Sequence, residues 1–196
     1  MSTWAVLPVK SYQSSPFHQE GDKTASLEHK LELLRSIPQI ASTVVMSPDP
    51  KAISVARQYG ARTIVLGDLP QWETGLNRVF QLARVEGVWR SMLVNPAFPL
   101  ADAQYITHLL TLSRRDYSVT LVPMLKDDTG IGIVTPPDYI SLTIGAGSLQ
   151  RNAAAARSIH ATLVTYYDTA SVLEGTTGTP RFHNTDWDEA MMPYPA

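Results

Sequence analysis

Cysteine is absent from the 196 residues, and charge is sparse. Without cysteine there is no disulfide, no thiolate metal site and no cysteine nucleophile. Charged residues make up 17% of the chain and the formal net charge is -2. No basic surplus is available to neutralise a nucleic-acid backbone, so that partner class is disfavoured. No uninterrupted apolar run is long enough to span a bilayer, so no membrane partner is expected. The opening Met1-Ser-Thr-Trp-Ala-Val-Leu-Pro8 lacks a basic stretch leading into a long apolar one. It does not read as a signal peptide, and a cytoplasmic protein is expected. His18, His29, His108, His160 and His183 show no metal-ligand spacing, and His108 and His160 read as structural residues of a helix and a strand. What is present is apolar material: 44% of residues are hydrophobic, enough for one core at a length that suits one domain.

Short apolar runs alternate with helical patterns. Trp4–Val9, Thr43–Ser47, Thr63–Leu66 and Ser91–Asn95 read as strands buried on both faces of a parallel sheet. Leu27, Leu31, Leu34 and Ile37 form a helical stripe ended by Pro38. Pro50 opens a second helix and Gly60 closes it. A third helix is expected from near Thr74 and a fourth from near Leu100. The rhythm then changes. Tyr117–Met124 and Ile131–Thr135 are strand-like and separated by a turn-rich gap, which predicts a hairpin or a bent connection. Ser148–Arg157 predicts a helix and Ser158–Tyr167 a strand. The whole is an α/β three-layer sandwich with a mixed, mostly parallel sheet. One domain is expected over residues 1–183, with a C-terminal tail at 184–196. Trp187, Met191, Met192 and Tyr194 in that tail suit a homo-oligomer contact or a loose end.

Ligands in such sheets bind beyond the carboxyl ends of the strands, where strand order switches. The loops there hold the candidates. Pro8-Val9-Lys10 ends the first strand, and Lys10 can meet a phosphate as a point charge or simply end the strand in solvent. Gly75-Leu76-Asn77 lies at a helix start, where Asn77 can read a base edge or serve as turn chemistry. Gly145-Ala146-Gly147-Ser148 precedes a helix, with Arg151 one turn on. Its free N–H groups suit an anion, and the alternative is a flexible loop capped by Ser148. Asp127-Asp128 offers two carboxylates to a hard cation, or a charged turn.

Taken together, these stretches resemble the 2-phospho-L-lactate guanylyltransferase group, which includes the phosphoenolpyruvate guanylyltransferases of deazaflavin coenzyme biosynthesis. The resemblance runs over roughly residues 4 to 180. It is carried by Trp4-Ala-Val-Leu-Pro-Val-Lys10, Val44-Val-Met-Ser-Pro-Asp-Pro50, Ala56-Arg-Gln-Tyr-Gly-Ala-Arg62, Gly75-Leu-Asn77, Asp128-Thr-Gly130, Gly145-Ala-Gly-Ser148 with Arg151, and Thr179-Pro180. It implies a nucleotide-diphospho-sugar transferase-like fold and guanylyl transfer from GTP to a small phosphorylated acid. It further implies Lys10 as a catalytic residue and nucleotide binding by Pro8, Val9, Lys10, Gly75, Asn77, Thr129 and Gly130. Substrate or phosphate binding would fall to Gly145, Gly147, Ser148 and Arg151, with Mg as cofactor. The chain departs from the family pattern in places. Ala97 stands where a metal-binding aspartate is expected, and Thr176 and Gly178 stand where two more are. Pro16-Phe17-His18 replaces a Lys-Ser-Arg, and Gly132 replaces the asparagine of a Gly-Thr-Asn turn. No residue is therefore assigned to a metal, although Asp102, Asp127, Asp128 or Asp168 can replace the missing groups. Three readings follow: a nucleotidyltransferase with altered ligands, a non-catalytic relative that binds a ligand or regulates a partner, or, from the aromatic tail alone, a structural subunit of a larger complex.

Overall fold

The computed structural model describes residues 1–12, 26–67, 72–100, 102–113 and 116–167. The expectations for Pro16–His18, Asp168, Thr176 to Pro180 and the aromatic tail lie outside the described residues.

The chain starts with a strand, β1 (Thr3–Pro8), buried along its whole length. Next comes α1 (Leu27–Ser36), where the Ser26 hydroxyl accepts from the His29 N–H at 3.1 Å, satisfying one of the orphan donors of a helix start. Strand β2 (Ile40–Ser47) leads to α2 (Pro50–Gln58), capped by Asp49 with Pro50 in its first turn. There follow β3 (Arg62–Val65), α3 (Trp72–Val85), β4 (Arg90–Val94) and α4 (Ala103–Leu112), the last capped by Asp102. Strands β5 (Ser118–Met124) and β6 (Asp128–Thr135) are joined by a single 3-10 turn at Leu125–Asp127. Helix α5 (Ser148–Ser158) and β7 (Thr162–Thr165) are the last elements among the described residues.

The seven strands of the described residues form one sheet in the order β3-β2-β1-β4-β6-β5-β7. Strand β6 runs antiparallel to both β4 and β5, and the other neighbours are parallel. The hairpin expected between the two later strands is present. Alternate residues of β1 serve opposite cores, as the period of a strand requires. Ala5 and Leu7 pack with residues of α1, α2 and α4. Trp4 and Val6 pack with Leu76, Val79, Phe80 and Ala83 of α3 and with Leu149, Ala153 and Ala156 of α5. Helices thus cover both faces.

Three boundaries differ from the sequence reading. Strand β2 begins at Ile40 rather than Thr43, because Ile40 already pairs with Thr3. Helix α3 begins at Trp72, so Gly75-Leu76-Asn77 lies inside the helix. The stretch expected as a strand from Ser158 starts as helix. His160, at φ +56°, takes the left-handed turn that ends α5, and Ala161 N–H donates to Ala156 O at 3.0 Å.

Candidate functional site

Strand β1 is hydrogen-bonded to β2 on one side and β4 on the other. The chain therefore winds outward from β1 to β3 and then returns past β1 to β4. This is a switch in strand order, and the loops that leave β1 and β4 diverge there. A cavity of about 430 Å³ lies at that point. Its walls include Pro8, Val9 and Lys10 leaving β1, Glu28 and Lys30 of α1, Trp72 of α3, Asn95 and Ala97 after β4, Asp128 of β6, and Gly145.

The exit from β1 is held by the backbone: Val9 N–H donates to Met46 O at 2.8 Å. Pro8 and Val9 are buried, and Lys10 is exposed. Beyond it, Tyr12 N–H donates to Asp49 Oδ2 at 2.7 Å, and the Tyr12 hydroxyl donates to Glu28. Lys51 Nζ sits 4.2 Å above the Tyr12 ring centroid. One residue thus ties the loop after β1 to both α1 and the cap of α2. The bond to Glu28 holds the Tyr12 hydroxyl above its ordinary pKa, with burial acting in the same direction. The N–H groups of Tyr12 and then Lys51 hold the Asp49 carboxyl below its ordinary value.

The exit from β4 is fastened by Asn95. Its carbonyl oxygen accepts from Ala97 N–H at 3.0 Å, and its amide donates to Asp128 Oδ2 at 3.2 Å and Thr129 O at 3.3 Å. Asp128 is the meeting point of this wall. Its Oδ1 accepts from Thr129 N–H at 2.7 Å, Gly145 N–H at 3.1 Å and the Ser148 hydroxyl at 2.6 Å. The glycine-rich start of α5 does collect donors around an anion, as its composition predicts. The anion seated there is the protein's own carboxylate.

Of the residues picked out from the sequence, the structure brings Pro8, Val9, Lys10, Ala97, Asp128 and Gly145 to the cavity wall. Gly75, Asn77, Thr129, Gly130, Gly147, Ser148 and Arg151 are not part of that wall. Packing accounts for several of them. A Cβ at Gly75 would strike Met46 Cε, and one at Gly130 would strike the Phe98 ring. Thr129 is fully buried, and its hydroxyl accepts from Asn152 at 2.9 Å. Ser148, also fully buried, bridges Asp128 and Thr129 N–H. Gly147 takes the left-handed conformation before α5, at φ +73°. Arg151 braces the preceding loop, donating to Thr143 Oγ1 at 3.3 Å, Ala146 O at 3.0 Å and Ile144 O at 3.5 Å.

Sequence reasoning missed Lys30 and Glu28, and it placed Trp72 and Asn95 in the loops expected at the site without giving them a role. Lys30 carried a readable signal, since a lysine stands on the apolar stripe of α1 and is only 1% exposed. The others needed the strand order to bring them together.

The described residues of the site do not fit a tightly held magnesium ion. A hard cation wants several free oxygen ligands, and no group of three or more potential ligands occurs among the described residues. Ala97 contributes a methyl group to the wall. Asp128 already accepts four hydrogen bonds. Asp102 serves α4 as its cap, accepting from Tyr105 N–H at 2.7 Å, and Asp127 is exposed on the turn before β6. No described helix is long and apolar enough to cross a membrane.

No family model matches the chain. A sequence comparison finds phosphoenolpyruvate guanylyltransferase of Sphaerobacter thermophilus, 29% identical over 175 residues, which cover 81% of this chain and 80% of that one. Among solved structures, a 4-diphosphocytidyl-2C-methyl-D-erythritol synthase matches with a TM-score of 0.61 at 14% identity, over 89% of this chain and 93% of that one. A putative nucleotide-diphospho-sugar transferase from Desulfovibrio desulfuricans G20 matches with 0.60 at 13% identity, over 85% and 80%. A CMP:2-keto-3-deoxy-manno-octonic acid synthetase matches with 0.57 at 13% identity, over 85% and 90%. These structural matches establish the nucleotide-diphospho-sugar transferase type of fold. The sequence match and the fold point the same way: the chain is similar to phosphoenolpyruvate guanylyltransferase.

Proposed function

We propose that this nucleotidyltransferase-like protein transfers a guanylyl group from GTP to a small phosphorylated acid, phosphoenolpyruvate or 2-phospholactate, as in cytoplasmic deazaflavin coenzyme biosynthesis. The observation that carries this reading is the cavity where β1 and β4 diverge, with Lys10 at its rim. An acceptor phosphate oxygen attacks the α-phosphorus of the nucleotide, one P–O bond forms, one breaks, and pyrophosphate leaves. Lys10 supplies positive charge to phosphate oxygens, and the walls fix the two reactants in line. Trp72 offers an apolar surface to the base or to the acid. No step is assigned to a metal, because the described residues do not cage one.

A second reading is favoured by Ala97 and by the saturated Asp128: the protein binds the nucleotide or the phospho-acid without turning it over. One assay separates the two. GTP with phosphoenolpyruvate or 2-phospholactate, with magnesium in solution, is followed for pyrophosphate release. Release that requires an acceptor supports transfer. Binding of GTP by calorimetry without release supports the binding role. Absence of both removes the nucleotide reading altogether.

A further inference from the structure

The chain leaving β1 lines the cavity without a break from Pro8 to Tyr12. Two main-chain N–H groups pin this stretch near its ends. Val9 N–H donates to Met46 O at 2.8 Å, and Tyr12 N–H donates to Asp49 Oδ2 at 2.7 Å. Asp49 divides its carboxylate between two tasks. Its Oδ1 accepts from Lys51 N–H at 2.8 Å and caps α2, which leaves Oδ2 for Tyr12. Its own N–H donates to Ser47 Oγ at 3.0 Å, so the end of β2 fixes the acceptor in turn. The Tyr12 side chain adds a third pin. Its hydroxyl donates to Glu28 in the first turn of α1, and Lys51 Nζ lies over its ring. Between the pins stands Lys10, exposed and without an ion pair among the described residues. A loop that must be ordered when its ligand arrives loses affinity to that ordering. Here the loop is held before any ligand enters.

We propose that Tyr12 is a positioning residue: through Glu28 and Asp49 it holds the exit of β1 so that Lys10 meets a phosphate of the ligand. The proposal rests on the nucleotidyltransferase reading for the ligand and for the role of Lys10. The Tyr12 hydroxyl is already donated to Glu28, so Tyr12 acts through Lys10 and not on the ligand. Residues that act through one another give non-additive effects in a double-mutant cycle, whereas independent contributions add.

The test is calorimetric titration of the full chain with GTP and, separately, with pyrophosphate, in magnesium. Four proteins are compared: the unaltered chain, Tyr12→Phe, Lys10→Ala and the double variant. Tyr12→Phe keeps the ring and the main-chain N–H, removes the bond to Glu28 and changes no charge at neutral pH. It is expected to weaken GTP about fivefold when Lys10 is present, and by less than about twofold when Lys10 is already alanine. Its urea midpoint is expected to stay close to that of the unaltered chain. Equal losses in the two backgrounds overturn the proposal and leave the transferase reading standing. So does GTP affinity that Tyr12→Phe leaves unchanged, even if the urea midpoint falls, since that is a structural role alone. The same non-additivity with pyrophosphate, where GTP does not bind, upholds the positioning role and removes the nucleotide. Failure of both probes to bind the unaltered chain overturns both.

Discussion

At the amino end of β4, the Arg90 guanidinium is 2% exposed, donating to Thr3 Oγ1 at 2.9 Å, to Ser113 O at 3.0 Å and to Leu110 O. Its carbonyl partners belong to the last turn of α4, where the helix dipole favours a cation. At the carboxyl end of the same strand, Lys10 and Lys30 border an open cavity, and the protein's own oxygens leave Lys10 without an ion pair among the described residues. One end of the sheet uses its cation to close the fold. The other leaves the Lys10 cation exposed beside a cavity. Burial separates the two cations: Arg90 is nearly fully buried among its acceptors, whereas Lys10 is exposed at the cavity.

The sharpest way to break this comparison is Arg90→Met. It leaves Thr3, Leu110 and Ser113 without their donor, and the expected loss of stability is about 3 kcal/mol by urea unfolding. An unchanged urea midpoint would remove the closing role. Asp128→Ala comes next. It strips four donors of an acceptor and should cost about 2 kcal/mol. It also removes a negative charge from the wall, so phosphate affinity measured by calorimetry should rise. A fall would show that Asp128 meets the ligand favourably. Lys10→Ala sharpens the contrast from the other side: stability should change by less than about 0.5 kcal/mol, while GTP affinity should fall by about tenfold.

The smallest effect concerns the loop after β1. Asp49 has a lowered folded pKa, so its contribution is present above its unfolded value of 3.8 and is lost as pH falls through the folded one. Tyr12 has a raised folded pKa, so its contribution is present below its unfolded value of 10.0 and is lost as pH rises through the folded one. Both groups are reached by solvent, which keeps each effect below about 1 kcal/mol. A pH series of thermal melts on the protein and on Tyr12→Phe checks this. The substitution should flatten the alkaline limb and leave the acid limb.

Much of this architecture was readable from composition and spacing. The buried run at Trp4–Val9 announced a central parallel strand, and Pro8-Val9-Lys10 was placed at the site because strands of this type end at the ligand. The glycine motifs were less transparent. Gly75 and Gly130 exist where Met46 and Phe98 leave no room for a Cβ, and a sequence does not say whether a glycine makes room for a ligand or for a neighbour. Ser148 and Arg151 had the right chemistry for an anion, but Asp128 and the loop carbonyls lie close enough in space to take them. Asn95 and Trp72 lay in loops expected at the site, but their contacts there depend on the strand order and could not be read in advance.

That order also governs how the molecule assembles. The β5–β6 hairpin closes across one short turn, whereas β1 and β4 pair between residues 87 positions apart, as Thr3 and Arg90 show. Long loops cost more chain entropy to close and form more slowly. The seam that carries the cavity is therefore expected to zip late, after the hairpin is protected. Pulse-labelled hydrogen exchange during refolding should show protection at Val119–Leu121 before Val6 and Leu93. In that sequence of events the ligand pocket is among the last features the chain acquires.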